Sequence, residues 1–349
     1  YDKTILEQEV FLIFLLGLDI IDWISISIAM VFQMLLFSLG MNFNKKLIKF
    51  SALSVYLGMI IFFFAVLLSD VRFTTGAFLN TLDLGNFIDK NNLAPLLTVT
   101  GTIFAYFSIV ILSFGDFSRY AKSEKELSKG NLSLLLNMII FSFLAIFITI
   151  GSDIVINKNL AEAERFLTNP TDIIGKINNT YITVTCLIFI LIASLSSNLI
   201  ANYIPSQNAL INFLPSKLGL RSSGIIIIFV GLLVGSLWLS IISQLGILSF
   251  IDTLGSFFGP LFGLIICDYY SKKNKKIVNK DIFSSKKESS YFYSNGWHLK
   301  GVYAVFIGFI FSAGTIWNPN LNFLQSFSWI LGALVTYSTY YLLVVKNHE

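Results

Sequence analysis

Histidine and cysteine are nearly absent from this 349-residue chain, which holds two of each. Cys186 and Cys267 fall inside long apolar runs, where they serve as small apolar side chains and support neither a disulfide framework nor a metal site. His298 and His348 leave a zinc or haem centre without ligands, so no cofactor is expected. Charge is scarce as well: 13% of residues are charged against 55% hydrophobic, and the mean hydropathy is +0.75. Such a composition excludes an ordinary soluble domain. Asp, Glu, His and Cys do not cluster inside the apolar runs, which argues against an enzyme.

What the chain has instead is a series of apolar runs of about 20 residues, enough to cross roughly 30 Å of hydrocarbon at about 1.5 Å per residue. Nine spans are predicted, near 22–41, 50–69, 95–115, 132–153, 181–203, 222–241, 244–268, 299–314 and 324–345. Each is helical, because hydrocarbon offers no partner to an open backbone group. The fold class that follows is all-α, a polytopic membrane protein.

Lys and Arg crowd into every second gap between the spans. The first, third, fifth and seventh gaps and the carboxyl tail carry 18 basic residues, eight of them between Lys272 and Lys300, whereas the opposite side carries 6. By the positive-inside rule the Lys-rich side is cytoplasmic, which puts the carboxyl terminus there and makes this a multi-pass plasma-membrane protein. The net charge of +4 is then an orientation signal, helped by anionic lipid, and implies no nucleic-acid partner. The same parity puts Glu7, Glu9, Asp19 and Asp22 on the outer side, and the chain begins at Tyr1 with neither Met nor signal peptide. The run Val10–Leu18 is too short to cross. Upstream sequence is therefore expected, with this chain as a carboxyl-terminal portion.

The spans differ in character. The run 50–69 is continuously apolar, whereas 95–115 holds Thr98, Thr100, Gly101, Thr102, Tyr106, Ser108 and Ser113. The span 181–203 holds Thr183, Thr185, Ser194, Ser196, Ser197, Asn198 and Asn202, with Pro205 beyond. Asn is costly in lipid unless it meets a partner or a cavity, so both spans belong inside the protein, lining a site or gluing helices together. In 244–268, Pro260 removes a backbone donor among Gly255, Gly259 and Gly263, and a kink is expected. Asp252 in the same span either faces water, a pathway or a counter-charge, or merely marks a helix start at the interface.

Two loop motifs are more specific. Asp116 and Arg119 lie three apart at a helix end, share one face and are placed to latch neighbouring segments. The run Gly259-Pro260 to Asp268-Tyr269-Tyr270 ends in Ser-Lys-Lys-Asn-Lys-Lys, where tyrosines suit the membrane interface and lysines the anionic face. By these physical criteria alone, both are anchors.

These pieces together resemble the nucleobase:cation symporter-1 family, which includes bacterial hydantoin, allantoin, uracil and cytosine permeases. The matching residues are Asp116-Phe-Ser-Arg119-Tyr-Ala-Lys-Ser, Ser196-Ser197-Asn198 with Asn202 and Pro205, and Leu214-Pro215. Gly259-Pro260 to Tyr270 with its basic tail, Asp281-Ile-Phe, and Tyr291-Phe-Tyr to Gly296-Trp297 complete the series, in the family's order across residues 20–345. The resemblance implies an inverted-repeat (5+5 helix) sodium symporter fold, amino-terminally truncated, with the nine spans as helices four to twelve of twelve. Residues 1–94 would be the remainder of the first repeat, 95–268 the second repeat, and 269–349 a cytoplasmic linker with two accessory helices.

The resemblance also implies roles. Relatives bind sodium through a backbone carbonyl and two hydroxyls at positions matching Ala193, Ser196 and Ser197, and bind the heterocycle through an amide matching Asn202. An amide offers one acceptor and two donors, which complement an imide or ureide edge. The stacking aromatic matches Phe107, where the hydantoin transporter has Trp, with Tyr106 where it has Gly; Phe can stack but has no indole donor. Asp116, Arg119, Gly259, Pro260 and Asp268 take gating or structural roles. The expected function is symport of a small planar heterocycle or ureide with Na+, or H+ in its place, by alternating access in a monomer. An inverted-repeat carrier of another small solute and a non-transporting membrane protein or membrane enzyme are the rival readings.

Overall fold

In the computed structural model the described residues are 15, 18–39, 41–69, 75, 76, 79, 90–157, 170–175, 179–237, 247–282, 284 and 286–345. Among them nine helices are long and apolar enough to cross a membrane, one for each span expected from the sequence. The principal helices are α1 (Ile20–Ser38), α2 (Met41–Ser69), α3 (Lys90–Leu112), α4 (Phe114–Ser118) and α5 (Glu124–Asn157). They continue with α6 (Pro170–Gly175), α7 (Thr180–Asn198), α8 (Ile204–Phe213), α9 (Leu220–Leu237) and α10 (Ile247–Ile266). The carboxyl-terminal part holds α11 (Asn279–Ile282), α12 (Leu299–Trp317) and α13 (Ser328–Tyr340). Wider π-helical turns follow α7 at Leu199–Tyr203, α10 at Cys267–Lys272 and α13 at Tyr341–Val345.

Local signals set the helix starts. Asp19 and Asp22 form a reciprocal capping box at α1, and Asn179 accepts from the backbone N–H groups of Tyr181 and Ile182 at α7. Ser123 accepts from Glu126 N–H, and acidic Glu124 and Glu126 suit the positive end of α5. Two helices run further than hydropathy suggests. α2 starts at Met41 and already includes Lys45, Lys46 and Lys49, and α5 takes in the polar stretch from Glu124.

The chain divides into two compact units that draw on separated stretches of sequence: Tyr1–Asn86 with Asp116–Ser236, and Phe87–Gly115 with Leu237–Glu349. In the first, Leu199, Tyr203 and Ile204 pack with Phe37 of α1 and Ile227 and Ile228 of α9. A second cluster joins Val66 of α2 to Phe147 of α5, with the Phe63 ring 4.3 Å from that of Phe147. Side chains away from these seams face outward, as lipid permits: Ile61 is 69% and Leu68 74% exposed.

The second unit is built on close backbone approach. A Cβ at Gly259 or Gly263 of α10 would collide with the carbonyl oxygens of Trp329 and Ala333 in α13, so small residues let the two helices touch. Pro260 sits inside α10 without ending it, and its ring occupies the space left by Gly332. The helix geometry changes later, at the π-helical turn from Cys267.

Candidate functional site

α7 carries the polar face of the first unit. The buried Ser196 hydroxyl donates to the Ala193 carbonyl at 3.0 Å, so those two oxygens lie side by side. Ser197 is exposed on the neighbouring position. One turn on, Asn202 Nδ2 donates to Asn198 Oδ1 at 2.8 Å, and Asn198 Nδ2 donates to Gln33 Oε1 at 3.3 Å. Gln33 is 2% exposed, and its Nε2 has no hydrogen-bond partner among the described residues. Asn202 itself belongs to the π-helical turn Leu199–Tyr203, a feature often found where a helix is opened for function.

Asp116 and Arg119 form an ion pair at 2.6 Å, and Asn208 Nδ2 of α8 donates to the same Asp116 Oδ1 at 2.8 Å. The aspartate thereby joins its own short helix to the segment beyond the asparagines. Gln207 Nε2 donates to the Leu220 carbonyl at 2.5 Å and ties α8 to α9. Gln33, Gln207 and Asn208 went unmarked in the sequence reading. Gln33 had a signal, being the one amide side chain in α1.

Tyr106 and Phe107 belong to α3 in the second unit, with Tyr106 62% exposed, Phe107 half-buried and their ring centroids 5.3 Å apart. In the same unit Asp252 is 3% exposed and accepts from Gln325 Nε2 at 2.9 Å, with the Thr102 hydroxyl also facing it. Asp252 is therefore buried within the protein and hydrogen-bonded there.

Asp268 is the hub of the Lys-rich end. It pairs with Lys273 Nζ at 2.8 Å, lies 3.9 Å from Lys272 Nζ, and accepts from the Tyr340 hydroxyl at 2.7 Å. His298 Nε2 lies 2.7 Å from the same hydroxyl. Since the single hydroxyl hydrogen goes to Asp268, His298 Nε2 must be the donor in that contact. Burial draws the Lys273 ammonium down, but the hydrogen bond and charge of Asp268 outweigh it and raise its pKa. Burial first, then the neighbouring lysine charges, hold His298 below the ordinary imidazole range.

A family model described as "Permease for cytosine/purines, uracil, thiamine, allantoin" matches residues 12–338. The chain is similar to an allantoin permease of Bacillus subtilis, 26% identical over 251 residues that make up 72% of this chain and 49% of the relative. It is also similar to a purine-uracil permease of Arabidopsis thaliana, 26% identical over 273 residues, 78% of this chain and 43% of the relative. The chain thus spans about half the length of the curated relatives it matches. Among solved structures it is similar to a nucleobase-cation-symport-1 family transporter in a closed conformation with bromovinylhydantoin bound. That likeness has a TM-score of 0.50 at 18% identity, covers 91% of this chain and 75% of that one, and speaks to the fold.

Proposed function

This chain belongs to the family of permeases for cytosine/purines, uracil, thiamine and allantoin, and from that membership we propose that the whole protein is a secondary transporter, not an enzyme, moving a nucleobase or related ureide by alternating access. The observation that carries the reading is the α7 face. Its neighbouring Ala193 and Ser196 oxygens, a π-helical turn and an amide chain ending at Asn202 stand within one membrane span.

In this reading the Ala193 carbonyl and the Ser196 and Ser197 hydroxyls are ligands of Na+, a hard cation that takes oxygen. Asn202 meets the donor and acceptor edge of the ring, and Phe107 and Tyr106 take the stacking role that the family resemblance gives them. Asp116 with Arg119, Gly259 with Pro260, and Asp268 hold the elements that move. Residues 1–94 serve as the remainder of the first inverted repeat, 95–268 as the second, and 269–349 as linker and accessory helices. The Lys-rich end and the carboxyl terminus lie in the cytoplasm, and the working unit is a monomer in the plasma membrane. The driving term is the sodium gradient plus the potential, about 2.3 kcal/mol per charge per 100 mV.

The test is uptake of labelled uracil, cytosine, allantoin and hydantoin by cells making the full-length protein, in sodium and in choline buffer. Sodium-dependent uptake of one of them is expected. If none is taken up and none competes, the substrate class is wrong. One observation favours a second reading, coupling to H+: Asp252 is a buried carboxylate of the kind that carries protons in transporters. Uptake driven by a pH gradient in choline buffer would select it.

A further inference from the structure

At the Lys-rich end of the second unit a cavity of about 210 Å³ opens beside the π-helical turn after α10 and the start of α12. Its walls include Lys272, Ser294, Trp297, His298, Leu299 and Lys300, and no acidic residue lines it. Positive charge is crowded there. Lys272 is repelled by Lys273 and Lys300, and the carboxylate opposing them, Asp268, stands 3.9 Å away and is already shared by Lys273 and the Tyr340 hydroxyl. Lys300 has no ion-pair partner among the described residues. It also sits in the first turn of α12, where the helix dipole is itself positive. Beside them, His298 has its basicity lowered by burial first and by the charges of Lys272, Lys273 and Lys300 after it. An anion in this cavity would relieve the repulsion.

A second, independent feature says which anion. Leu299 in the wall begins a stripe of Leu299, Val302, Tyr303, Phe306 and Ile310, spaced i, i+3, i+4, i+7 and i+11 along one face of α12, every member at least 44% exposed. The stripe follows the membrane span away from the cavity. Trp297, 66% exposed, stands where amphipathic rings settle at headgroup depth. Free phosphate would use the cations alone, whereas a phospholipid uses both the cations and the stripe. A zwitterionic headgroup would return a positive charge to a cluster that already has too many.

We propose that this cavity is a binding site for an anionic phospholipid, with its phosphate between Lys272 and Lys300 and an acyl chain along the α12 stripe. The site shares no residue with the α7 face and does not depend on what the protein transports.

Native mass spectrometry of the purified full-length protein, titrated with phosphatidylglycerol or phosphatidylcholine, tests it. Wild type is expected to prefer phosphatidylglycerol, and the Lys272→Gln/Lys300→Gln variant to lose affinity for it on the order of tenfold. Lys280→Gln/Lys287→Gln, on the same linker but outside the cavity, should bind like wild type, and Lys300→Arg should retain binding. Excess inorganic phosphate should not displace the lipid. Equal losses in both double variants, no loss in the cavity variant, or displacement by phosphate would each overturn the proposal. Should the cavity double variant fail to fold, Lys300→Gln alone decides: it is exposed and unpaired, and unchanged lipid affinity there overturns the site.

Discussion

Gln325 reaches from the turn before α13 to donate its amide N–H to Asp252 at 2.9 Å, fastening α10 to that turn. Asp252 is the one acidic side chain that is fully buried among the described residues. Removing its donor leaves the carboxyl group in place without the partner. Gln325→Leu should therefore destabilise the full-length protein by about 1–3 kcal/mol, whereas Asp252→Asn, which preserves size and an acceptor, should cost less. Thermal unfolding of the two variants in one detergent measures the difference, and the opposite order would refute it.

The α7 face separates two binding roles. Ser197→Ala in the full-length protein should raise the sodium concentration needed for half-maximal uptake and leave the ring's partners intact. Asn202→Ala should weaken substrate binding by roughly 5–150-fold, the equivalent of about 1–3 kcal/mol. Because coupled sites influence each other, both variants need measurement at limiting and saturating sodium. Unchanged constants with less folded protein would mean that these side chains only join helices.

The α10–α13 contact tolerates no added carbon. Gly263→Ala would push a methyl group into the Ala333 carbonyl and should cost about 1–3 kcal/mol, the usual range for overpacking. Gly58→Ala on α2 meets nothing within 4 Å and should be neutral or gain up to about 1 kcal/mol from helix propensity. Folded yield and unfolding temperature of the two variants give the comparison.

A pH effect follows from His298. Its folded-state pKa is depressed by burial and by the nearby lysines, so the folded protein binds fewer protons there than the unfolded chain. No penalty exists above about pH 6.5, where both states are neutral, and stability is lost as pH falls through that value and the unfolded chain alone takes up the proton. His298→Gln should flatten this part of the profile between about pH 7.5 and 5.5. A wild-type profile that rises with acidification would contradict the assignment.

The spans were legible because a membrane demands continuous apolar backbone, and all nine expected positions carry helices among the described residues. Their ends were less so, since Lys45, Lys46 and Lys49 continue a helix that hydropathy would start at residue 50. The Asp116–Arg119 pair could be read directly, being one helical step apart. Partners distant in sequence could not. Nothing in the periodicity of α1 says that Gln33 will meet Asn198, 165 positions away, and nothing near Asp252 names Gln325. Roles for Ala193, Ser196 and Phe107 came from family resemblance, because isolated hydroxyls and aromatics in a span read equally well as packing.

The π-helical turn at Leu199–Tyr203 also has a rotational consequence. Such a turn takes in one residue more than an α-helical one, and each residue advances an α-helix by about 100°. An unbroken α-helix from Thr180 to Phe213 would swing Asn208 that far around the axis, away from Asp116, and Gln207 away from Leu220. The phase of α8 relative to α7 is thus set by a single inserted position. Deleting Ile200 would therefore let the segment close as a plain α-helix with Asn208 and Gln207 still facing their anchors.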